Sequence, residues 1–384
     1  MVSMNKSQVA MIKCDTYDNE KVYDAVEAGL KLLGGISNFA KEGEKILIKP
    51  NVLIGTNPEK CVCTHPSVFR AVGLILKKAK VTLSYGDSSG FGKTEANMKR
   101  AKLKQVADEL GITLADFTKG QHVSHNEALL NKRFVIANGV LEADGLVSLP
   151  KLKTHGLTRF TGAIKNQFGC VPGLRKSQFH VKLANPFDFA KMLVDLNTLI
   201  KPRLYIMDAI MAMEGNGPRS GKPKKLGVLL FSNDPVAIDS IACRIINFNP
   251  EYVPTSKPGE WVGLGTYHYH NINVIGDNIE SVIDKDFEVI RKPVMSVSTG
   301  RLRSFIRNQT CPKPMINETI CTNCGACVKH CPVKPKSVNW HNRDETSQPT
   351  FKYELCIRCY CCQELCPEGA IFQHEPILGK IFSH

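Results

Sequence analysis

No stretch of this chain stays apolar for the ~18 residues that a membrane span needs, so a transmembrane protein is not expected. The N-terminus has no signal-peptide pattern, which argues against export and against a disulfide framework for the fifteen cysteines. A reducing cytosol is the expected compartment. Aromatic residues make up only 7% of the chain, and no recognisable nucleic-acid motif interleaves them with basic residues. Nucleic acid is therefore not an expected partner. The sharpest absence is local: between Gly145 and Phe187 there is no Asp or Glu.

What is present describes a globular chain. Its 384 residues, 43% hydrophobic and 22% charged, suffice for one large domain or two plus a small unit. The net charge of +14 is unevenly placed. From Ile316 onward seven Lys/Arg balance seven Asp/Glu, so the excess lies upstream.

In that neutral C-terminal region a single cysteine pattern is written twice. Cys321-x2-Cys324-x2-Cys327-x3-Cys331-Pro332 is followed by Cys356-x2-Cys359-x2-Cys362-x3-Cys366-Pro367. Eight thiols at this spacing are the ligand set of two [4Fe–4S] clusters, with the fourth Cys of each run crossing to the other cluster. The expected sets are Cys321, Cys324, Cys327 and Cys366, and Cys356, Cys359, Cys362 and Cys331. A zinc site would need four ligands and has no use for the third Cys of each run. Cys361 and His330 are read as neighbours of the ligands. Two oxidised clusters bring about −4 to this unit, since metal-bound thiols are deprotonated. A negative module is then tethered to a positive lobe.

Upstream, apolar segments alternate with helical patterns, which predicts an α/β fold with a large, mostly parallel sheet followed by a small α+β ferredoxin-like domain. Strands are expected at Val9–Cys14, Ile46–Ile48, Val81–Tyr85, Gly145–Leu149, Leu204–Met207, Gly227–Phe231 and Ile272–Ile275. Helices are expected at Asn19–Leu33, Pro66–Ala79, Thr94–Leu110, Phe187–Ile200 and Pro235–Ile246. The expected organisation is an α/β domain over 1–285 with a basic anion-binding cleft, a linker over 286–315, the ferredoxin-like domain over 316–375 and a tail over 376–384.

Ligands of such sheets bind beyond the carboxyl ends of strands, and four motifs fall there. They are Lys49-Pro50-Asn51, Gly86-Asp87-Ser88-Ser89-Gly90, the run from Lys153-Thr154-His155 to Lys165-Asn166-Gln167-Phe168-Gly169, and Glu214-Gly215-Asn216-Gly217-Pro218 ahead of Asp234-Pro235-Val236-Ala237-Ile238-Asp239. In this order, with a double-cubane tail, they resemble the iron–sulfur proteins catalogued as domain of unknown function 362. The resemblance spans nearly the whole chain. It implies a redox-associated protein with a common site, not a substrate.

In the acid-free segment Lys151, Lys153, Arg159, Lys165, Arg175, Lys176 and Lys182 gather beside His155 and His180. Glycines that admit close backbone approach and Thr/Asn side chains accompany them, a mixture suited to an anionic substrate. The alternative is a solvated basic face. Lys153, His155 and Lys165 are the candidate catalytic residues, and Asp87, Ser88, Asn166 and Arg175 the candidate substrate contacts. Cys170 is read as a buried structural thiol, and Cys61, Cys63 and His65 as three near neighbours without a fourth metal ligand. Asp234 is expected to cap the helix that starts at Pro235, with Asp239 one turn on. Gly86-x5-Gly92-Lys93-Thr94 misses the P-loop spacing by one residue.

The expected function is that of an iron–sulfur oxidoreductase, with electrons passing through two [4Fe–4S] clusters to an anionic small molecule. A protein electron donor or acceptor is the other partner. The competing readings are a carrier or maturation factor that docks an acidic protein, and an ATP-dependent reductase activator.

Overall fold

The computed structural model describes residues 6–90, 92–173, 175–295, 301–341 and 344–377. Phe91, residues 1–5 of the expected large domain, residues 296–300 of the expected linker and residues 378–384 of the expected tail lie outside the described residues.

In chain order the strands are β1 (Ser7–Lys13), β2 (Lys45–Pro50), β3 (Thr82–Tyr85), β4 (Thr113–Leu114), β5 (Gly120–Ser124), β6 (Arg133–Ala137), β7 (Gly145–Leu149), β8 (Lys151–His155), β9 (Arg159–Thr161), β10 (Leu204–Glu214), β11 (Lys222–Ser232) and β12 (Ile272–Gly276). Among the described residues ten of them form one sheet, whose main path runs β12-β1-β11-β10-β7-β2-β3-β4. Strands β2, β3, β4, β7 and β10 pair in parallel, and β11 runs antiparallel to both β1 and β10. β5 and β6 form a separate hairpin.

Strand periodicity of two divides the core between the two faces. Ala10, Leu204 and Ile206 join one hydrophobic cluster, while their neighbours Val9, Met11, Tyr205 and Met207 join another. Helices cover both faces. Asn19–Leu32 and Pro66–Lys78 pack on the first, and Pro235–Ile245 on the second. Asp234 accepts the Val236 and Ala237 amides at 2.8 Å each, the expected cap. The expected helix over 94–110 is two helices, Thr94–Arg100 and Leu103–Leu110. Lys102 at φ 58° breaks them, and the turn lets both Ala101 and Leu103 reach the core.

Because β2, β3 and β7 are parallel, their carboxyl ends share one edge. That edge carries Lys49, Asp87 and Lys151. Here the acid-free segment departs from a surface reading. Lys151–His155 is itself a strand, every residue of it buried, and it folds back on β9.

The cysteine-rich unit is built from β13 (Lys313–Ile316), β14 (Val338–Trp340), β15 (Pro349–Phe351) and β16 (Ile371–His374), with short helices at Ala326–His330 and Cys361–Leu365. β13 pairs with β16 and β14 with β15. The Glu214–Ser220 turn between β10 and β11 grips this unit. Asn216 Nδ2 donates to the Ile371 carbonyl at 3.0 Å, Arg219 Nη1 to the Leu365 carbonyl at 2.8 Å, and Gln363 Nε2 to Asn216 Oδ1.

Candidate functional site

The eight cysteines of the repeat sort into two hollows. Cys321, Cys324, Cys327 and Cys366 line one, and Cys331, Cys356, Cys359 and Cys362 line the other. In each set three thiols come from one run and the fourth from the other. Among the described residues no group of three or more His, Cys, Asp or Glu converges on a single metal ion. The thiols are spread around hollows, as a larger inorganic core requires and a zinc ion does not. Burial, reinforced by Cys366, Cys321 and Cys324, pushes the Cys327 thiol up to about 12. A cationic core would stabilise four thiolates held this close together. Arg358, 6% exposed and two residues from Cys356, has no carboxylate within ion-pair distance among the described residues, and its Nε has no hydrogen-bond partner. A buried cation left this way fits an anionic cluster beside it. When bound, the clusters supply one-electron transfer.

A cavity of about 470 Å³ lies where this unit meets the sheet edge. Lys165, Asn166, Asp87 and Ser88 line it from the α/β side, and Cys331, Pro332, Cys361 and Glu364 from the cysteine-rich side. The helix Ala163–Asn166 is held by Asp239, whose carboxylate accepts the Ala163 amide at 2.6 Å and the Ile164 amide at 3.2 Å. That anchorage presents Lys165 to the cavity. Burial lowers the Lys165 pKa, opposed by Glu364, and among the described residues its ammonium has no hydrogen-bond or ion-pair partner.

Asp87 is committed to a buried pair. Its Oδ1 accepts from Lys49 Nζ at 2.8 Å, and its Oδ2 from the Val52 amide at 2.9 Å. Gly169 is required beside it, because a Cβ there would collide with the Asp87 carboxylate. Asn166 Oδ1 accepts from Lys49 Nζ at 3.3 Å, and its Nδ2 donates to Ser148 Oγ at 2.9 Å. Ser88 Oγ accepts from the Gly173 amide and from Lys176 Nζ, each at 3.0 Å. Burial brings the Lys176 pKa down to about 8. Two amides of the Gly86–Gly90 loop are spent on the protein, Ser88 N on the Gly169 carbonyl and Gly90 N on the Leu53 carbonyl. Those amides are not free to cradle a phosphate.

Lys153 and His155 sit behind the cavity wall rather than on it. Lys153 Nζ donates to the Val62 carbonyl at 2.7 Å. Burial, reinforced by Lys165 and Lys151, lowers its pKa to about 7. His155 Nδ1 accepts the Leu157 and Thr158 amides at 3.0 and 3.3 Å, which places the proton of the neutral ring on Nε2. Nε2 stands 2.9 Å from Glu364 Oε1, a close contact off the ideal hydrogen-bond direction. Burial would raise the Glu364 pKa, but His155, Lys165 and His180 outweigh it and hold the carboxylate ionised. Arg175 is exposed and does not line the cavity.

Several participants carried no assignment in the sequence reading. Lys49 lay in a recognised motif, and Lys176 and His180 in the basic segment. Glu364 gave no signal, because its partner His155 is distant in sequence. A second buried knot lies at the same edge: Lys151 Nζ donates to Asp208 Oδ2 at 2.8 Å and to Tyr17 OH at 2.7 Å, and Tyr17 donates to Asp208 Oδ1 at 2.8 Å. Cys63 Sγ donates to the Val52 carbonyl at 3.2 Å, and Cys170 is buried with its thiol pushed up to about 12 by burial. Both behave as structural thiols.

Residues 320–370 match a 4Fe-4S dicluster domain, and residues 46–244 match the family described as Domain of unknown function (DUF362). The Thylakoid-associated protein sll1697 of Synechocystis sp. is 33% identical over 257 residues, 67% of this chain and 79% of that protein. Among solved structures, the lactate racemase apoprotein from Thermoanaerobacterium thermosaccharolyticum aligns over 61% of this chain and 57% of its own, at 13% identity and TM-score 0.39. A Thermotoga maritima protein aligns over 60% and 59%, at 13% identity and TM-score 0.36. The chain thus spans less than two thirds of either solved structure. With more than half of its residues in the family match, the chain belongs to the family described as Domain of unknown function (DUF362), and it carries a 4Fe–4S iron–sulfur domain at its C-terminal side.

Proposed function

We propose that this protein is a cytoplasmic iron–sulfur oxidoreductase that passes electrons through two [4Fe–4S] clusters to an anionic small molecule in the cavity between its α/β lobe and its cysteine-rich unit. The observation that carries the reading is the shared wall: the cavity touches both Lys165, a cation with no partner among the described residues, and Cys331 of the second hollow. A ligand held there lies beside a cluster ligand, the proximity that electron transfer requires; its reduction would draw electrons from the protein donor through the clusters and take up a proton where the product needs one. Lys165 is the group that touches the ligand. Lys153 and His155 position the wall behind it, His155 through Glu364. Asp87, Ser88 and Asn166 shape the floor through Lys49 and Lys176. The first hollow carries Cys324, which is exposed, and a protein electron donor or acceptor reaches the chain on that side.

Anaerobic purification followed by iron analysis and mass spectrometry of co-eluting small molecules tests this reading. About eight irons per chain are expected; four or fewer after full reconstitution would remove the two-cluster assignment. Cys366→Ala should damage the cluster bound by Cys321, Cys324 and Cys327, whereas Cys361→Ala should leave iron nearly unchanged. Lys165→Met should weaken an anionic ligand by roughly 10- to 150-fold, the range for a lost charge-assisted contact, with the iron content intact. An unchanged affinity would move the ligand out of this cavity.

A further inference from the structure

We infer that the cluster-bearing unit supplies some of the anion grip itself, through Lys329 and Lys334, so that anion binding and the redox state of the cluster held by Cys331 are thermodynamically linked. The inference rests on the proposed function and deepens it.

Lys329 and Lys334 bracket Cys331 in sequence, and both line the cavity with Lys165 and Lys176. Neither has a side-chain hydrogen bond or an ion pair among the described residues. The two acids on the lining are already engaged, Asp87 by Lys49 and Glu364 by His155. Glu364 is ionised beside a neutral His155, so its one charge is set against Lys165, Lys176, Lys329 and Lys334, and the wall stays net positive. Two buried polar atoms of lining residues, Asn51 Oδ1 and His180 Nδ1, also have no partner among the described residues. Native proteins seldom leave such atoms unpaired; Asn51 Oδ1, an acceptor, calls for a donor such as a water or a ligand N–H or O–H, and the anionic group itself is left to the lysines. His180 is 6% exposed, its ring stacked on Phe189 with centroids 4.6 Å apart, which holds it in place. Leu53, Phe168, Pro332 and Leu365 add apolar surface to the lining. The ligand class is an anion with an apolar portion, gripped from both units at once.

A consequence follows from charge alone. A [4Fe–4S] cluster held by Cys331, Cys356, Cys359 and Cys362 would gain one negative charge on one-electron reduction, and Cys331 also lines the cavity. An anion then binds the oxidised protein more tightly than the reduced one. By reciprocity the bound anion makes that cluster harder to reduce by the same factor. Lys329, on the helix Ala326–His330, and Lys334, just past Cys331-Pro332, would hold the anion next to Cys331, and that short distance sets the size of the coupling.

The test uses the full anaerobic protein, inorganic pyrophosphate as probe, and dithionite as the one-electron source. Calorimetric titration should show at least several-fold tighter binding to the oxidised form. Electron paramagnetic resonance redox titration should show one of the two midpoints moving to lower potential as pyrophosphate is added. The double variant Lys329→Ala/Lys334→Ala should lose about ten-fold or more in affinity with iron content unchanged. If Lys165→Met abolishes binding while the double variant keeps wild-type affinity and redox state has no effect, the inference is overturned and the cavity reading stands. If Lys165→Met also binds like wild type, or the wild type does not bind pyrophosphate, both are overturned.

Discussion

At the scale of single residues, the sheet edge stores charge in unusual protonation states. His65 shows the consequence most simply. Its Nδ1 accepts the Ser67 amide at 3.2 Å and caps the helix Pro66–Lys78, while its ring stacks on Tyr17 at 3.6 Å. Burial, with help from Lys151 and against Asp208, lowers its pKa from 6.5 to about 4. Between those values the unfolded chain binds the proton and the folded chain does not. Stability therefore rises with pH across that window and is lost as pH falls from 6.5 toward 4, by at most about 3 kcal/mol. His65→Asn keeps a capping acceptor and removes the titration. Its unfolding midpoint in denaturant should depend less on pH over this window than that of wild type; parallel slopes would contradict the account. Arg358 offers a second test. Its Nη2 donates to Asn308 Oδ1 at 2.6 Å and its Nη1 to the Cys356 carbonyl at 3.4 Å, and among the described residues no carboxylate pairs with the charge. Arg358→Gln should lower the midpoint potential of the neighbouring cluster, on the order of tens of millivolts for a unit charge at effective dielectric ~20. Redox titration with an unchanged midpoint would show that the cluster does not feel this charge.

At the scale of elements, the motifs do two jobs. Lys-Asn-x-Phe-Gly presents Lys165 and makes room for Asp87. Lys-Thr-His and Glu-Gly-x-Gly-Pro lock the turn that holds the cysteine-rich unit. Thr154 Oγ1 donates to the Gly215 carbonyl at 2.9 Å and accepts the Gly217 amide at 3.2 Å. A Cβ at Gly217 would lie well inside contact distance of the Thr154 carbonyl oxygen, and backbone on both sides leaves little freedom to relax. Gly217→Ala should cost about 1–3 kcal/mol, as overpacking does. Protease cleavage of the unit should become faster while its isolated iron-binding chemistry is unaffected. Equal cleavage rates would mean that the turn is not what holds lobe and unit together.

At the scale of the whole molecule, the positive lobe and the cysteine-rich unit share one interface, and its contacts converge on Asn216, Gln363, His155 and Glu364. Metal binding orders the loops that carry its ligands. Loading the protein with iron and sulfide should therefore slow hydrogen exchange in Glu214–Ser220 and in residues 155–158, not only in the cysteine loops. Mass-spectrometric exchange before and after anaerobic reconstitution measures this. Protection confined to residues 320–370 would separate the cavity from the clusters.

What the amino-acid order determined alone is whatever depends on local spacing. The cysteine repeat names its chemistry because a cluster loop must bring three thiols together within a few residues. The alternation of apolar strands and helices specifies the α/β class, since one periodicity buries a strand and another a helix. Asp234 before Pro235 specifies a cap for the same local reason. The tertiary structure decided the rest. An acid-free basic run looks alike on a surface and in a core, and only the fold shows that Lys151 and Lys153 are buried beside Asp208 and the Val62 carbonyl. Arg175 stands in that same run and does not line the cavity, whereas Lys165 does. The partner of His155 is Glu364, 209 positions further along, and Lys329 and Lys334 reach the cavity from another unit. Charge pairing and cavity walls depend on distance in space, and no periodicity along the chain encodes that.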